Sequence, residues 1–309
     1  MKTLLVVRTP FQAWLAQKVL EKEEVKSFDI VYFTQHDSEE DRYYYSQLSH
    51  KSNQSDYIFV RPQRFDILSH LIFRLKAHKW YQQENYDLVI YASIDALVPN
   101  SLISKHKHAK LITFDDGAAN VFINGIFNNE AGAFRNKFYR MMIRSKSLKA
   151  IKNRISRHYT TYSNKDNIVE SKRLFYLDGW GCSSQSTLDD VKTYFIGAPF
   201  EEIMNTEQII RLENYVRQLQ IDCYVTHPRE RKTLNISAKF LKKNGRIAED
   251  AIISDAKGRK IRLVGWLSTV MLNLESICED SVVLLPKESI QTPELTKLSM
   301  DFGCRVILI

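Results

Sequence analysis

Short apolar runs alternate with amphipathic stretches along the first half of this 309-residue chain. Residues 3–7, Thr-Leu-Leu-Val-Val, open the series, and runs at 29–34, 57–61, 87–91 and 110–114 repeat their character. Each run is short, rich in β-branched residues and bounded by polar segments, which is the pattern of strands covered on both faces of a parallel sheet. Between the first two runs, Thr9-Pro10 offers a helix cap and a first-turn proline, and Phe11, Trp14, Leu15, Val19 and Leu20 follow at helical spacing. A second helix is predicted over 65–79.

The alternation starts afresh in the second half. Strands are predicted at 193–196, 221–226, 261–264, 281–285 and 305–309, with helices over 206–219 and from Ser268 and Pro293. Two such series imply an α/β protein of two Rossmann-like domains facing a central cleft. The first domain is expected over 1–157, including a basic helical segment at 121–157. A connection follows at 158–190, itself starting strand-like at 158–162, and the second domain spans 191–309. Ligands of open parallel sheets bind at the carboxyl ends of the strands, so the loops after each strand are where chemistry is expected.

Composition narrows the class. Hydrophobic content of 44% with 26% charged residues describes a folded globular chain, and its length suits two domains. Cys182, Cys223, Cys278 and Cys304 form no C-x-x-C pair and have no histidine at ligand spacing, so zinc and redox motifs are unsupported. With no secretory segment or membrane span expected, free thiols fit a reducing cytoplasm. The net charge is +8, and residues 131–160 hold nine Lys or Arg and no Asp or Glu. This block implies attraction to a polyanion, whether nucleic acid, anionic lipid or a phosphorylated glycolipid, or else a solvated helical face. The apolar stripe Phe134, Phe138, Met141, Met142 and Ile143 within it reads as core or dimer packing.

Three places could carry chemistry. "FDDGAANV", residues 114–121, ends a predicted strand with Asp115-Asp116-Gly117, either a turn or a carboxylate presented to a ligand. Adjacent residues at a strand end diverge, which disfavours a shared metal ion, while one of them could serve as a general base. His227 follows a predicted strand in "YVTHPRER", and Pro228 biases it toward extended geometry. Ser268-Thr269 open a predicted helix, where two hydroxyls and free N–H groups could bind phosphate or simply form an N-cap.

The order and spacing of Asp115-Asp116-Gly117, His227-Pro228 and Ser268-Thr269 resemble a pattern shared by several bacterial sialyltransferase families. With "VVRTPFQAWLA" at 6–16, "FIGAPFEE" at 195–202 and "THPRE" at 226–230, the chain resembles glycosyltransferase family 52, the lipooligosaccharide sialyltransferases, over nearly its whole length. The resemblance implies a GT-B fold with the acceptor held mainly by the first domain and the nucleotide by the second. It implies an inverting transfer of sialic acid from CMP-sialic acid to a terminal galactose of lipooligosaccharide, through an α-2,3 bond. By the same resemblance Asp115 is the general base, with Glu202 of the "FIGAPFEE" loop, next to Glu201, as rival. His227 is the general acid toward departing CMP, and Ser268 and Thr269 bind its phosphate. Glu249 holds the ribose, with Asp250 beside it as an alternative, and Pro228 and Gly197 belong to the nucleotide-binding loops. No metal or other cofactor is expected, because a single phosphate can be managed by histidine and hydroxyls. A homodimer exchanging helical segments and a peripheral position on the cytoplasmic face of the inner membrane are further implications, with no nucleic-acid partner. Two other readings stay open: a GT-B glycosyltransferase with another activated-sugar donor, and a non-enzymatic polyanion-binding protein.

Overall fold

The computed structural model of the chain describes residues 1–63, 66–83, 86–121, 133–162, 165–178, 180 and 188–309. It divides into two compact units, Met1–Gly179 and Trp180–Ile309.

Unit 1 contains, in chain order, β1 (Thr3–Val7), α1 (Pro10–Lys22), β2 (Asp29–Thr34), α2 (Glu39–Ser49), β3 (Gln54–Phe59), α3 (Asp66–Lys76), α4 (His78–Gln82), β4 (Leu88–Tyr91), α5 (Leu97–Lys105), β5 (Lys110–Phe114), α6 (Ala133–Met142), α7 (Leu148–Arg154), β6 (Ile155–Thr160) and β7 (Leu174–Tyr176). The strands form one parallel sheet in the order β3-β2-β1-β4-β5-β6-β7. Every residue of β1, β2 and β4 is buried, as the apolar runs predict for a sheet covered on both faces. Thr9 caps α1 by accepting the Gln12 N–H at 3.2 Å, with Pro10 in the first turn.

Unit 2 contains β8 (Leu188–Ile196), α8 (Phe200–Ile203), α9 (Thr206–Arg217), β9 (Cys223–Val225), β10 (Lys239–Phe240), α10 (Ala248–Ala256), β11 (Arg259–Gly265), α11 (Thr269–Leu274), β12 (Cys278–Leu285), α12 (Thr292–Asp301) and β13 (Arg305–Leu308). Its parallel sheet runs β10-β9-β8-β11-β12-β13. Phe195, Phe200, Leu212, Tyr224, Val264 and Leu284 pack together in its core. Both sheets therefore reverse strand order beside their first strand, the topological switch point of a doubly wound fold.

One expectation needs correction. The stretch 158–190 is not simply a connection, because β6 and β7 inside or overlapping it are the last two strands of the first sheet. β7 escapes a pattern search because it is three residues long, with Phe175 and Tyr176 exposed. The basic segment 121–157 carries α6 and α7, while 122–132 lies outside the described residues, as do 163–164, 179 and 181–187 of the expected connection, Cys182 included. Of its apolar stripe, Ile143 is buried, whereas Phe138, Met141 and Met142 are exposed. Among the described residues no helix is long and apolar enough to cross a membrane.

Candidate functional site

In unit 2 the carboxyl ends of three adjacent strands lie level. Ile196 of β8 is in register with Val225 of β9 on one side and with Gly265 of β11 on the other. The loops that begin one to three residues later therefore emerge side by side. They carry Gly197 to Glu202, His227-Pro228 and Ser268-Thr269.

His227 opens a tight turn, closed by the Glu230 N–H donating to the His227 carbonyl at 3.0 Å. Pro228 occupies the second position of that turn, where its fixed φ is favourable. The imidazole Nδ1 accepts the Arg229 backbone N–H at 3.1 Å. Among the described residues Nε2 has no hydrogen-bond partner. Burial pushes the imidazole below its ordinary pKa, and the neighbouring charges of Arg229 and Lys243 push the same way against an opposing pull from Glu202. The Glu230 carboxylate accepts the His227 N–H at 3.1 Å and the Tyr224 hydroxyl. Gly197 is needed there for space: a Cβ on it would collide with that carboxylate. Its contribution is thus to clear room under the His227 turn.

Glu202 lies on α8 with its side chain 42% exposed, 3.4 Å from the Arg229 guanidinium. That contact brings a solvent-facing carboxylate beside the His227 turn, although an ion pair this open adds little stability. Ser268 caps α11, its hydroxyl accepting the Met271 N–H at 3.5 Å, and Thr269 is exposed at the first helical position. Glu249, in the first turn of α10, is buried, and its Oε1 accepts the Asn273 side-chain N–H at 2.7 Å from α11. Burial raises its pKa. Asn273 also accepts the Trp180 indole N–H on its carbonyl at 2.6 Å. Glu249 therefore ties α10 to the helix that Ser268 begins.

Unit 1 resolves "FDDG" differently from expectation. Asp115 is 0% exposed. Its Oδ1 pairs with His158 Nε2 and the Asn167 amide, both at 3.1 Å, and its Oδ2 accepts the Thr161 N–H at 2.8 Å. His158, also 0% exposed, turns its Nδ1 to the Thr113 hydroxyl at 2.8 Å. With three donors on its two oxygens and no exposed surface, Asp115 is a tie between the ends of β5 and β6, which corrects its expected placement as a presented base. Gly117 then turns the chain at φ 68°, a conformation glycine adopts freely.

Asp116 is the carboxylate that reaches the switch point of the first sheet. Its Oδ1 accepts the Gln12 amide at 2.5 Å and its Oδ2 the Ser93 hydroxyl at 2.9 Å, while its N–H donates to Asn120 at 2.7 Å. Gln12 accepts the Arg8 N–H at 2.8 Å, which fixes which way its amide faces. Asp95 stands nearby with its pKa raised by burial and by Asp116, against Arg8 and Arg140. Asp95 Oδ1 and Asn120 Nδ2 are buried without a hydrogen-bond partner among the described residues. Gln12 carried a signal in the sequence, because it shares the buried face of α1 with Leu15, Ala16 and Val19. Nothing in the sequence distinguished Ser93, and Glu230 showed only as the last residue of "THPRE".

Among the described residues, no three His, Cys, Asp or Glu side chains converge as a metal centre requires. The chemistry available in unit 2 is a free imidazole nitrogen, an exposed carboxylate and two hydroxyls at a helix start.

A sequence model of glycosyltransferase family 52 matches residues 25–287. The N-acetyllactosaminide alpha-2,3-sialyltransferase of Haemophilus influenzae is 28% identical over 281 residues, covering 88% of this chain and 88% of that protein. The CMP-N-acetylneuraminate:beta-galactoside alpha-2,3-sialyltransferase of Pasteurella multocida is 23% identical over 293 residues, covering 94% of this chain and 92% of that protein. Among solved structures, the glycotransferase of kitacinnamycin is similar with a TM-score of 0.54 at 11% identity, covering 99% of this chain and 86% of that one. At that identity the likeness is one of fold.

Proposed function

Because the chain belongs to glycosyltransferase family 52, we propose that it is an inverting sialyltransferase moving sialic acid from CMP-sialic acid to a terminal galactose through an α-2,3 bond. The level ends of β9, β8 and β11 carry this reading, since they gather His227, Glu202 and Ser268-Thr269 on one edge of one sheet. The names of the Haemophilus and Pasteurella relatives support the donor, the galactoside acceptor and the linkage.

In this reading Glu202 takes the proton of the attacking galactose hydroxyl, because its carboxylate is exposed beside His227 while Asp115 has no free face. The His227 ring nitrogen and the hydroxyls of Ser268 and Thr269 meet the phosphate as CMP departs. Glu249 stands at the ribose, and Pro228 and Gly197 shape the loops. We assign the acceptor sugar to Asp116, the partly exposed carboxylate that Gln12, Ser93 and Asn120 hold in unit 1. Lipooligosaccharide as the natural acceptor and a cytoplasmic, peripheral position at the inner membrane follow from the family resemblance. For the homodimer or the anionic membrane, α6 is the natural contact, with Phe138, Met141 and Met142 exposed among basic residues, and one face serves only one of them.

The purified protein is expected to release CMP from CMP-sialic acid when lactose is added. Release no faster than in controls lacking enzyme or acceptor would overturn the assignment.

A further inference from the structure

We propose that Glu230 is a positioning residue, holding the His227 turn so that the ring meets the leaving phosphate as a neutral imidazole with Nε2–H as the donor. This rests on the sialyltransferase reading for its substrate, but the geometry that motivates it belongs to the protein alone.

His227 is held by three hydrogen bonds, one on its ring and two on its backbone. Arg229 donates its backbone N–H to Nδ1 at 3.1 Å, so a proton on Nδ1 would set two donors against each other. In the neutral ring the proton therefore sits on Nε2, the nitrogen with no partner among the described residues. The Glu230 N–H closes the turn on the His227 carbonyl at 3.0 Å, and the Glu230 carboxylate returns to accept the His227 N–H at 3.1 Å. The other carboxylate oxygen takes the Tyr224 hydroxyl. That hydroxyl accepts the Leu234 N–H at 3.2 Å, which leaves its own proton for Glu230.

The support is built into the sheet. Tyr224 is a core residue of β9, and Gly197 directly follows β8. The carboxylate fits between them because Gly197 has no Cβ. One side chain thus fastens the histidine turn to β9 and packs against the residue after β8, whose loop leads into the helix carrying Glu202. Burial raises the Glu230 carboxyl while its two hydrogen bonds oppose the rise. The ionised form is the one that can accept both donors.

Charges around the ring also favour its neutral form. Arg229 and Lys243 disfavour a proton on His227, and Glu202 is the opposing charge. The reaction does not require His227 to give a proton up. The acceptor hydroxyl oxygen bonds to the anomeric carbon and its proton passes to Glu202. The bond from that carbon to the phosphate oxygen breaks with its electron pair, leaving CMP with one more negative charge. A phosphate monoester has a second pKa of about 6, so CMP departs as a stable dianion at neutral pH and needs hydrogen bonds more than a proton. A neutral imidazole N–H aimed by its surroundings can supply one.

Two-bond proton–nitrogen NMR spectra of the full-length protein report which ring nitrogen of His227 is protonated, independently of activity. The wild type is expected to show the Nε2–H form alone above the His227 titration. Glu230→Ala is expected to mix the two tautomers, and to lower kcat about 10²-fold with little change in KM for the acceptor. Glu230→Gln keeps one acceptor oxygen and should recover about tenfold of that loss. Where Glu230→Ala does not fold, Tyr224→Phe, which removes one of the two donors on the carboxylate, is expected to shift the same spectra in the same direction.

Wild-type kcat should hold level from about pH 7 to 9, on the side where His227 is neutral. Turnover that falls through the His227 titration as pH rises, with the fall absent in His227→Gln, would overturn the neutral donor. A foldable Glu230 or Tyr224 variant with unchanged His227 spectra and only a lower melting temperature would overturn the positioning role. If CMP-sialic acid is not turned over at all, the substrate reading fails, and the spectra still decide whether Glu230 sets the tautomer.

Discussion

Each unit brings a histidine and an acid together at the carboxyl end of a parallel sheet, yet the two pairs are opposites in what they leave open. In unit 1, His158 and Asp115 are both fully buried, and both ring nitrogens and both carboxylate oxygens have partners. In unit 2, His227 is half-buried with Nε2 unpartnered among the described residues, and Glu202 faces solvent. Buried polar groups contribute to a fold when they are fully satisfied, and chemistry needs a group with a bond still to make. Both pairs combine an imidazole with a carboxylate; the number of unused lone pairs and protons separates a structural tie from a reactive site.

The largest effect expected from this contrast comes from deleting each histidine in turn. His227→Ala should lower kcat by about 10²–10³-fold, the usual loss of a donor to developing negative charge, with circular dichroism and melting unchanged. His158→Ala should instead leave buried groups unsatisfied, at about 1–3 kcal/mol for each, and be read in the melting curve, with turnover per folded molecule preserved. A large loss of turnover in folded His158→Ala would break the distinction.

A smaller effect is expected at the acceptor network. Asp116→Asn loses acceptor capacity toward Gln12 and Ser93 and should raise KM for the galactoside about tenfold, the value of one hydrogen bond, while KM for CMP-sialic acid stays put. An equal rise in both would place Asp116 outside acceptor binding.

The smallest is a pH effect on stability in unit 1. Burial lowers the His106 pKa to about 4 from an ordinary 6.5, so the unfolded chain binds a proton that the folded chain refuses. Stability from this residue is present above about pH 6.5 and is lost as pH falls from there toward about 4, since protonation favours unfolding. Urea melts across that range should show the slope, and His106→Asn should flatten it. A slope unchanged in the variant would assign the acid sensitivity elsewhere.

How much of this the sequence disclosed follows from burial. The central strands β2 and β5 fall where their apolar runs begin and end. The edge strand β3 starts at Gln54, three residues before the predicted run, because Gln54, Ser55 and Asp56 are polar on a partly exposed edge. The two-residue β10 is exposed and has no run to read. At the candidate site, loop positions were legible because polar residues follow apolar strands. The occupancy of Asp115 was not, since Thr161 and Asn167, which saturate it, lie 46 and 52 residues further along. The Glu230 brace shows its spacing in "HPRE", but not that Gly197 leaves the space it fills.

The central claim is that the carboxylate at work belongs to unit 2. Initial rates of CMP release at saturating donor and acceptor, measured for Asp115→Asn and Glu202→Gln alongside wild type, test it most directly. Asp115→Asn is expected to keep its turnover per folded molecule at a lower melting temperature, and Glu202→Gln to lose about 10²-fold or more with its melt intact. A folded Asp115→Asn without turnover, beside a Glu202→Gln that works normally, would contradict the account.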